Sequence, residues 1–417
     1  MFKGTKSLLT NLILMGVFLF GIYPLIPHRY ESLSVILLLL SAIISFIVKG
    51  NKNRYTNTFF MTSSIYFLLF ASVLFSANKV EGFNKMETML SLLIIPLVFY
   101  ILLGRLSIDF IKVRSFFFKT YYFSSLLFSS FSFYLFSIYK NPKYLTADSN
   151  FYRSAILENT YIGDHPIYVS IFLSIAIIFG FSFFYKERKF TWIFFLLIMA
   201  QVYLITLLFM LMSKGVILAL TTVIIIHLFR QKRFNKVYTL CFIIVCSSFF
   251  FLIPKKNNRF EELISLNSYG ELDKNNSTSI RVLIYKCGTE ALLENPILGN
   301  GIGDVQDLLE MCYSNEKANF IKGMYNSHNQ YLFIWLSSGM VGFLIFLGLI
   351  IFYFKKAIQY NDNSMVSILV LYCMIFLFEN VLSRQSGVIF FSFIVNYFLW
   401  DNLNRNKISV KPSDLNL

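Results

Sequence analysis

A histidine and an arginine stand where apolar segments meet polar ones, in positions suited to acting on an anionic substrate. His328 begins an apolar run and follows Asn326 and Ser327, either of which could cap the helix. A neutral imidazole there could accept a proton. Arg281 lies at the start of a predicted helix. Its planar guanidinium could donate two hydrogen bonds to phosphate oxygens. The simpler alternatives are an interfacial histidine that hydrogen-bonds a neighbouring loop and a solvated surface arginine.

Further polar residues lie near the ends of other apolar segments. Lys214 lies in a short turn between two apolar runs. It could bind phosphate, or it could be a lysine that snorkels to the membrane surface. Glu379 lies about one turn below the membrane surface, where a carboxylate usually has a partner or a task. Arg384 is its obvious partner, so a structural ion pair stays open beside a catalytic one. His165, before Pro166 at another helix start, could join a polar site with His328.

The composition shows which elements must position these residues. Of 417 residues, 56% are hydrophobic and only 14% are charged, and the mean hydropathy is +0.63. A water-soluble globule is therefore excluded. We predict an all-α, polytopic transmembrane bundle of about twelve spans. The predicted spans are 7–25, 33–48, 58–77, 86–104, 115–138, 165–185, 190–211, 215–229, 237–253, 329–354, 364–382 and 387–400.

The distribution of basic residues predicts the orientation. The net charge is +15, and Lys and Arg concentrate in alternate short loops, which places both termini in the cytoplasm. The predicted parts are spans 1–5 (1–139), spans 6–9 (140–253, with an external loop at 140–164), a large periplasmic loop (254–327), spans 10–12 (328–400) and a cytoplasmic tail (401–417). No cytoplasmic loop is long enough for a nucleotide-binding domain, which argues against an ATP-driven pump.

The large loop is predicted to hold helices of its own. Asn276 to Ser279 supply N-cap residues for a helix over 280–293, whose apolar positions indicate an amphipathic helix at the membrane surface. It ends at Asn295-Pro296, and a second short helix is expected from Asp304. The glycine run at 299–303 follows no strand and does not support a dinucleotide site. Cys287 and Cys312 could form a disulfide in an oxidising compartment, but this stays open.

An ordered series of motifs resembles one bacterial family. It comprises Ser213-Lys214-Gly215, Arg281 followed by Asn295-Pro296-x-x-Gly299-x-Gly301-x-Gly303, and His328-Asn329-x-x-Leu332 with Gly339 and Gly342. Together with the segment from Glu379 to Gly387, this series resembles the O-antigen ligase and O-antigen polymerase superfamily over roughly residues 160–400. Members move glycans from undecaprenyl diphosphate at the periplasmic face of the inner membrane. The family usually has arginine where this chain has Lys214.

The resemblance implies roles and partners. His328 would activate the acceptor hydroxyl, Arg281 and Lys214 would bind the diphosphate, and Arg384, His165 and Glu379 would complete the substrate site. The donor would be an undecaprenyl-diphosphate-linked glycan, and the acceptor a hydroxyl of a lipid A-core type sugar. The chemistry requires neither ATP nor a metal, so no cofactor and no nucleic-acid partner is expected. A repeat-unit polymerase using the same donor, a lipid-linked glycan flippase and an envelope assembly protein remain the alternatives.

Overall fold

Helices are the regular secondary structure of the described part of the chain. The computed structural model describes residues 2–49, 55–102, 110–138, 151–158, 165–186, 191–230, 262, 265–270, 272–274, 276–316, 318–321, 323 and 325–409, and these ranges contain no strand. The helices are α1 (Phe2–Gly21), α2 (Ser32–Lys49), α3 (Thr56–Val73), α4 (Lys79–Thr88), α5 (Ser91–Leu102), α6 (Phe110–Ile138), α7 (Phe151–Glu158), α8 (Pro166–Lys186), α9 (Trp192–Met210), α10 (Lys214–Arg230), α11 (Asn267–Gly270), α12 (Ser277–Glu294), α13 (Val305–Asn315), α14 (Gln330–Gln359), α15 (Asn363–Ile375) and α16 (Gln385–Ser409).

Several of these helices can cross a membrane. Five segments within the described ranges are long and apolar enough, and α4 with α5, bent by 40°, would make a sixth. The five are His28–Ile47, Thr56–Val73, Pro166–Phe183, Trp192–Met210 and Gln330–Gln359. The chain is therefore a multi-pass helical membrane protein. The expected number of twelve is not reached among the described residues, and the predicted span 237–253 lies outside them.

The chain divides into two compact units. The first comprises Met1–Leu37, Ser107–Asn258 and Asp362–Tyr372. Its centre is α6, which packs against α1, α8 and α9. Phe118 of α6 stacks on Phe179 of α8 with ring centroids 4.0 Å apart, and both helices bury further aromatic rings around this contact. Arg114 donates two hydrogen bonds of 2.7 Å to the Asp362 carboxylate, which ties α6 to the start of α15.

The second unit comprises Leu38–Leu106, Arg259–Asn361 and Cys373–Leu417. Here α14 packs on α3, and α5 packs on both α3 and α16. The α3 contact uses small residues, because a Cβ at Gly342 would meet Leu68 of α3 at 2.7 Å. The sequence pairs Ser338 with Gly342 as a close-packing motif. The helix contact confirms that prediction.

A break in α14 joins this helix to the large loop. Gly339 has non-helical angles (φ 66°, ψ −169°), so the helical hydrogen-bond ladder is interrupted there. The loop fills the gap: Asn300 N donates to Leu336 O at 2.8 Å, and Met340 N donates to Pro296 O at 2.9 Å. A Cβ on Gly339 would clash with the Ile297 carbonyl. The glycine run that sequence reasoning left without a role therefore packs against a broken helix.

Candidate functional site

His328 lies just ahead of α14 rather than within it. The N-cap is Asn329, whose side chain accepts from Leu332 N at 3.1 Å, so the expected cap at Asn326 or Ser327 is wrong. His328 has φ 42°, a left-handed backbone that a non-glycine residue seldom adopts. Its N–H donates to Asn326 Oδ1 at 3.0 Å, a local hydrogen bond that supports this conformation. The backbone thus turns the imidazole away from the direction that a helical residue would take.

The imidazole pairs with Glu379. His328 Nδ1 lies 3.1 Å from Glu379 Oε2, with the histidine side chain 16% and the glutamate side chain 7% exposed. The sequence suggested Arg384 as the partner of Glu379, whereas the structure places the His328 imidazole against this carboxylate. Because an ionised carboxylate only accepts, Nδ1 donates to it, and in a neutral imidazole Nε2 is then the acceptor. A histidine held in one tautomer by a carboxylate is the arrangement of a general base.

Buried hydrogen bonds hold the two segments that carry this pair. Gln330 N donates to Phe376 O, and Leu382 N donates to Gln330 Oε1, both at 2.8 Å. Asn380 Nδ2 donates to Ser327 Oγ at 2.8 Å. Asn380, Ser327 and Gln330 are fully buried. These contacts therefore fix residues 327–330 against residues 376–382 independently of the His328 to Glu379 contact.

Helix α12 adds a cation and a phenol to the same unit. The Tyr285 hydroxyl donates to Leu377 O at 3.0 Å and lies 3.3 Å from His328 O. Burial raises the pKa of Tyr285, with Arg281 lowering it and Glu379 raising it further. Arg281 is half-buried one turn before Tyr285. The phenol therefore lies within the electrostatic reach of both charged residues. Sequence reasoning missed Tyr285, and its i,i+4 spacing from Arg281 was the available signal.

Helix α12 begins where the sequence predicts, and its predicted apolar positions are covered by other helices. Asn276 Oδ1 accepts from Thr278 N and Ser279 N, which confirms the predicted cap. The five predicted apolar positions are buried, and α12 packs on α11, α13 and α14. Those positions are Ile280, Leu283, Ile284, Cys287 and Ala291. A disulfide joins Cys287 of α12 to Cys312 of α13, which settles the pairing that the sequence left open.

The remaining predicted site residues have different surroundings. Arg384 is exposed and directly precedes α16. Lys214 is half-buried at the first position of α10 and belongs to the first unit, as does His165. His165 Nδ1 lies 3.4 Å from Ile167 N at the start of α8, where Pro166 takes the first helical position as predicted. In the second unit, then, His328, Glu379, Tyr285 and Arg281 form one cluster.

Metal-ligating side chains do not gather in this cluster. Within the described ranges, no group of three or more His, Cys, Asp or Glu side chains is placed to hold a metal ion. The cluster therefore offers a base, its carboxylate, a phenol and a guanidinium. These groups can take a proton and stabilise an anion.

The comparison with known families agrees with this chemistry. Residues 199–347 match the family model described as O-antigen ligase (Wzy_C). This segment, about a third of the chain, is similar to the O-antigen ligase and polymerase superfamily. No curated protein matches it. The matched segment contains Lys214, Arg281 and His328, whereas Glu379, Arg384 and His165 lie outside it. The resemblance drawn from the motifs is thereby confirmed, and it supports a ligase or polymerase type of function in general.

Proposed function

We propose that this protein is an O-antigen ligase-type glycosyltransferase that moves a glycan from undecaprenyl diphosphate to a hydroxyl of a lipid A-core type acceptor. The observation that carries the proposal is the His328 to Glu379 pair, since the carboxylate leaves Nε2 as the proton acceptor. Arg281 lies in the same unit and provides a fixed cation for an anionic leaving group.

The proposed reaction is a single displacement. The acceptor hydroxyl oxygen attacks the anomeric carbon of the donor sugar, and His328 Nε2 takes the hydroxyl proton. The bond from the anomeric carbon to the diphosphate oxygen breaks, and the lipid diphosphate leaves with the electron pair. Arg281 stabilises the charge on the leaving group, and Glu379 stabilises the imidazolium that forms. The anomeric configuration is inverted.

Other parts of the proposal rest on the sequence. Lys214 is proposed as a second diphosphate ligand acting as a point charge, and Arg384 and His165 as further substrate contacts. Glu379 is reassigned from substrate binding to orienting His328. We also propose a twelve-span bundle in the inner membrane with both termini cytoplasmic and the site periplasmic. The disulfide between Cys287 and Cys312 supports an extracytoplasmic loop, because such bonds persist in oxidising compartments.

The proposed binding of the donor diphosphate by Arg281 is tested with a matched pair of variants on α12. Arg281→Ala removes the half-buried cation beside Tyr285, whereas Lys286→Ala removes an exposed cation that pairs with Glu316 at 2.7 Å. In proteoliposomes with a lipid-diphosphate-linked glycan and a core acceptor, we expect Arg281→Ala to lower transfer about 10²-fold or more, as for loss of one anion-stabilising donor. Lys286→Ala is expected to retain transfer. Equal activity of the two variants would contradict the role of Arg281.

The acceptor is tested by omitting it. With the lipid-linked donor alone, a ligase of this kind is expected to form no longer glycan, and product is expected only when the core acceptor is added. Chain growth on the donor alone would identify a polymerase and overturn the proposed acceptor. Donor translocation without any new glycosidic bond would overturn glycan transfer itself.

A further inference from the structure

Part of the large loop exposes apolar side chains that a water-facing segment would not favour. Leu293 at the end of α12 is 78% exposed, and Ile297 and Leu298 after it are 66% and 62% exposed. The three lie within six residues of sequence, on both sides of the exposed Glu294 and Asn295, and make up a small amphipathic patch. Exposed apolar side chains grouped in this way mark a contact with a membrane or another molecule.

The patch is fixed beside the exposed face of a membrane-spanning helix. Pro296 O accepts from Met340 N at 2.9 Å and from Trp335 Nε1 at 3.0 Å. These residues follow the start of α14 at Gln330 by five and ten positions, roughly 8–15 Å along the helix. On the same helix Met340, Val341 and Leu344 are exposed. The loop patch therefore lies beside a membrane-spanning helix that also exposes apolar side chains.

A second group of exposed apolar side chains lies on the element that the glycine run contacts through Gly303. The corner between α3 and α4 exposes Leu74, Phe75, Val80 and Phe83 by 53% to 74%. Gly303 N donates to Ser76 Oγ at 3.0 Å, and the Asp304 carboxylate accepts from Ala77 N and Asn78 N at 2.6 and 2.7 Å. The loop is thus attached to two elements, each of which exposes apolar side chains.

The backbone of the glycine run is satisfied without water. The N–H groups of residues 299–303 donate in turn to Asn295 O, Leu336 O, Ser337 O, Ser72 Oγ and Ser76 Oγ, at 2.8 to 3.3 Å. Irregular backbone is tolerated at membrane depth only when its polar groups are satisfied internally. The run meets that requirement.

We infer that the side chains of Leu293, Ile297 and Leu298 are inserted into the bilayer leaflet on the side of His328, with lipid acyl chains as their partner and the exposed Glu294 and Asn295 at the headgroup level. These side chains then set the level of the hydrocarbon boundary. His328 precedes Leu336, the acceptor of Asn300 N, by eight residues, so it stands in the headgroup layer above that boundary. This last consequence rests on the proposed function, since a polyprenyl diphosphate carries its phosphates at that level.

The inference is tested by spin labels in proteoliposomes that contain no polyprenyl lipid. The full chain carries Ile297→Cys, with Cys241, Cys246 and Cys373 replaced by alanine and the disulfide retained. The matched control is Asn315→Cys, at the exposed end of α13. We expect the Ile297 label to be accessible to oxygen and protected from a water-soluble nickel chelate. The control label is expected to show the reverse.

Three results would overturn the inference. The Ile297 label could be as accessible to the nickel chelate as the control, which means a water-facing loop. It could be protected from both reagents, which means a protein partner. Protection that appears only after a polyprenyl diphosphate is added would assign the patch to the donor chain. Leu298→Cys repeats the measurement if Ile297→Cys fails to fold, and neither variant depends on glycan transfer.

Discussion

Two histidine–carboxylate pairs in this chain have nearly the same contact distance and opposite origins. His28 Nδ1 lies 3.2 Å from Glu31 Oε2, and His328 Nδ1 lies 3.1 Å from Glu379 Oε2. The first pair is three residues apart at one short helical turn, whereas the second joins residues 51 apart. The His28 side chain is 45% exposed and that of His328 is 16% exposed. A local turn produces the first contact, and only the tertiary fold produces the second.

The backbone around the two histidines also differs. His328 holds a left-handed backbone, a conformation that costs on the order of 1–3 kcal/mol and persists only where the surrounding structure imposes it. Ser327, Gln330 and Asn380 make the buried hydrogen bonds that impose it. Strain of this kind is concentrated at functional sites. The comparison therefore favours the His328 pair over the His28 pair as the candidate functional one.

The largest expected effect separates the two histidines. His328→Ala removes the proposed base, so we expect transfer to fall about 10²- to 10⁴-fold, the usual contribution of a positioned general base. His28→Ala is the matched control, because it breaks a histidine–carboxylate contact of similar length. It is expected to retain transfer. The measurement is glycan transfer in proteoliposomes at equal protein content.

Two outcomes would break this comparison. Equal losses in both variants would mean that the pairs share a structural role. Full activity of His328→Ala, in protein of unchanged yield and thermal midpoint, would remove the proposed base.

A smaller effect is expected from the carboxylates. Glu379→Gln keeps the size and an acceptor oxygen but removes the charge that stabilises the imidazolium, so we expect kcat to fall about 10- to 100-fold. The KM for the donor is expected to change little, since Glu379 is assigned no contact with substrate. Glu31→Gln is the control, because Glu31 is fully buried beside His28, and it is expected to leave kcat unchanged. A rise in donor KM with unchanged kcat would return Glu379 to substrate binding.

The sequence predicts the local elements of the second unit better than their partners. The Asn276 cap and the buried stripe of α12 follow from local spacing, and the structure confirms both. The partner of Glu379 does not follow from spacing. Arg384 would lie near it on a continuous helix, but α15 ends at Ile375 and the chain turns through Val381–Ser383. Where a predicted helix ends early, helical spacing no longer predicts which side chains are neighbours.

The break in α14 could not be predicted for a related reason. Gly339 lies in an apolar run, where a glycine is usually a packing residue. Its positive φ is required because the loop backbone at Ile297 and Gly299 approaches it closely. That approach joins residues about forty positions apart, and no local pattern records it. Tyr285 was missed similarly, since its partners Leu377 and His328 lie on other segments.

The smallest expected effect tests whether Tyr285 supports the His328 segment. Tyr285→Phe removes the hydroxyl that donates to Leu377 O, which should lower stability by roughly 0.5–1.5 kcal/mol near pH 8. Because burial raises the pKa of Tyr285 above its ordinary value of 10.0, the folded protein holds this proton more tightly than the unfolded chain. The stabilisation is therefore fully present below pH 10 and is lost as the pH rises through the folded pKa.

Thermal midpoints measured from pH 8 to pH 11 check this prediction. The midpoints of the wild-type protein and Tyr285→Phe should differ most below pH 10 and converge above it. Tyr30→Phe, which changes a 51% exposed tyrosine far from His328 in sequence, is the control and should match the wild type throughout. A difference that grows with pH would contradict the direction of the shift. A Tyr285→Phe midpoint equal to the wild type at pH 8 would show that the His328 segment is held by Gln330 and Asn380 alone.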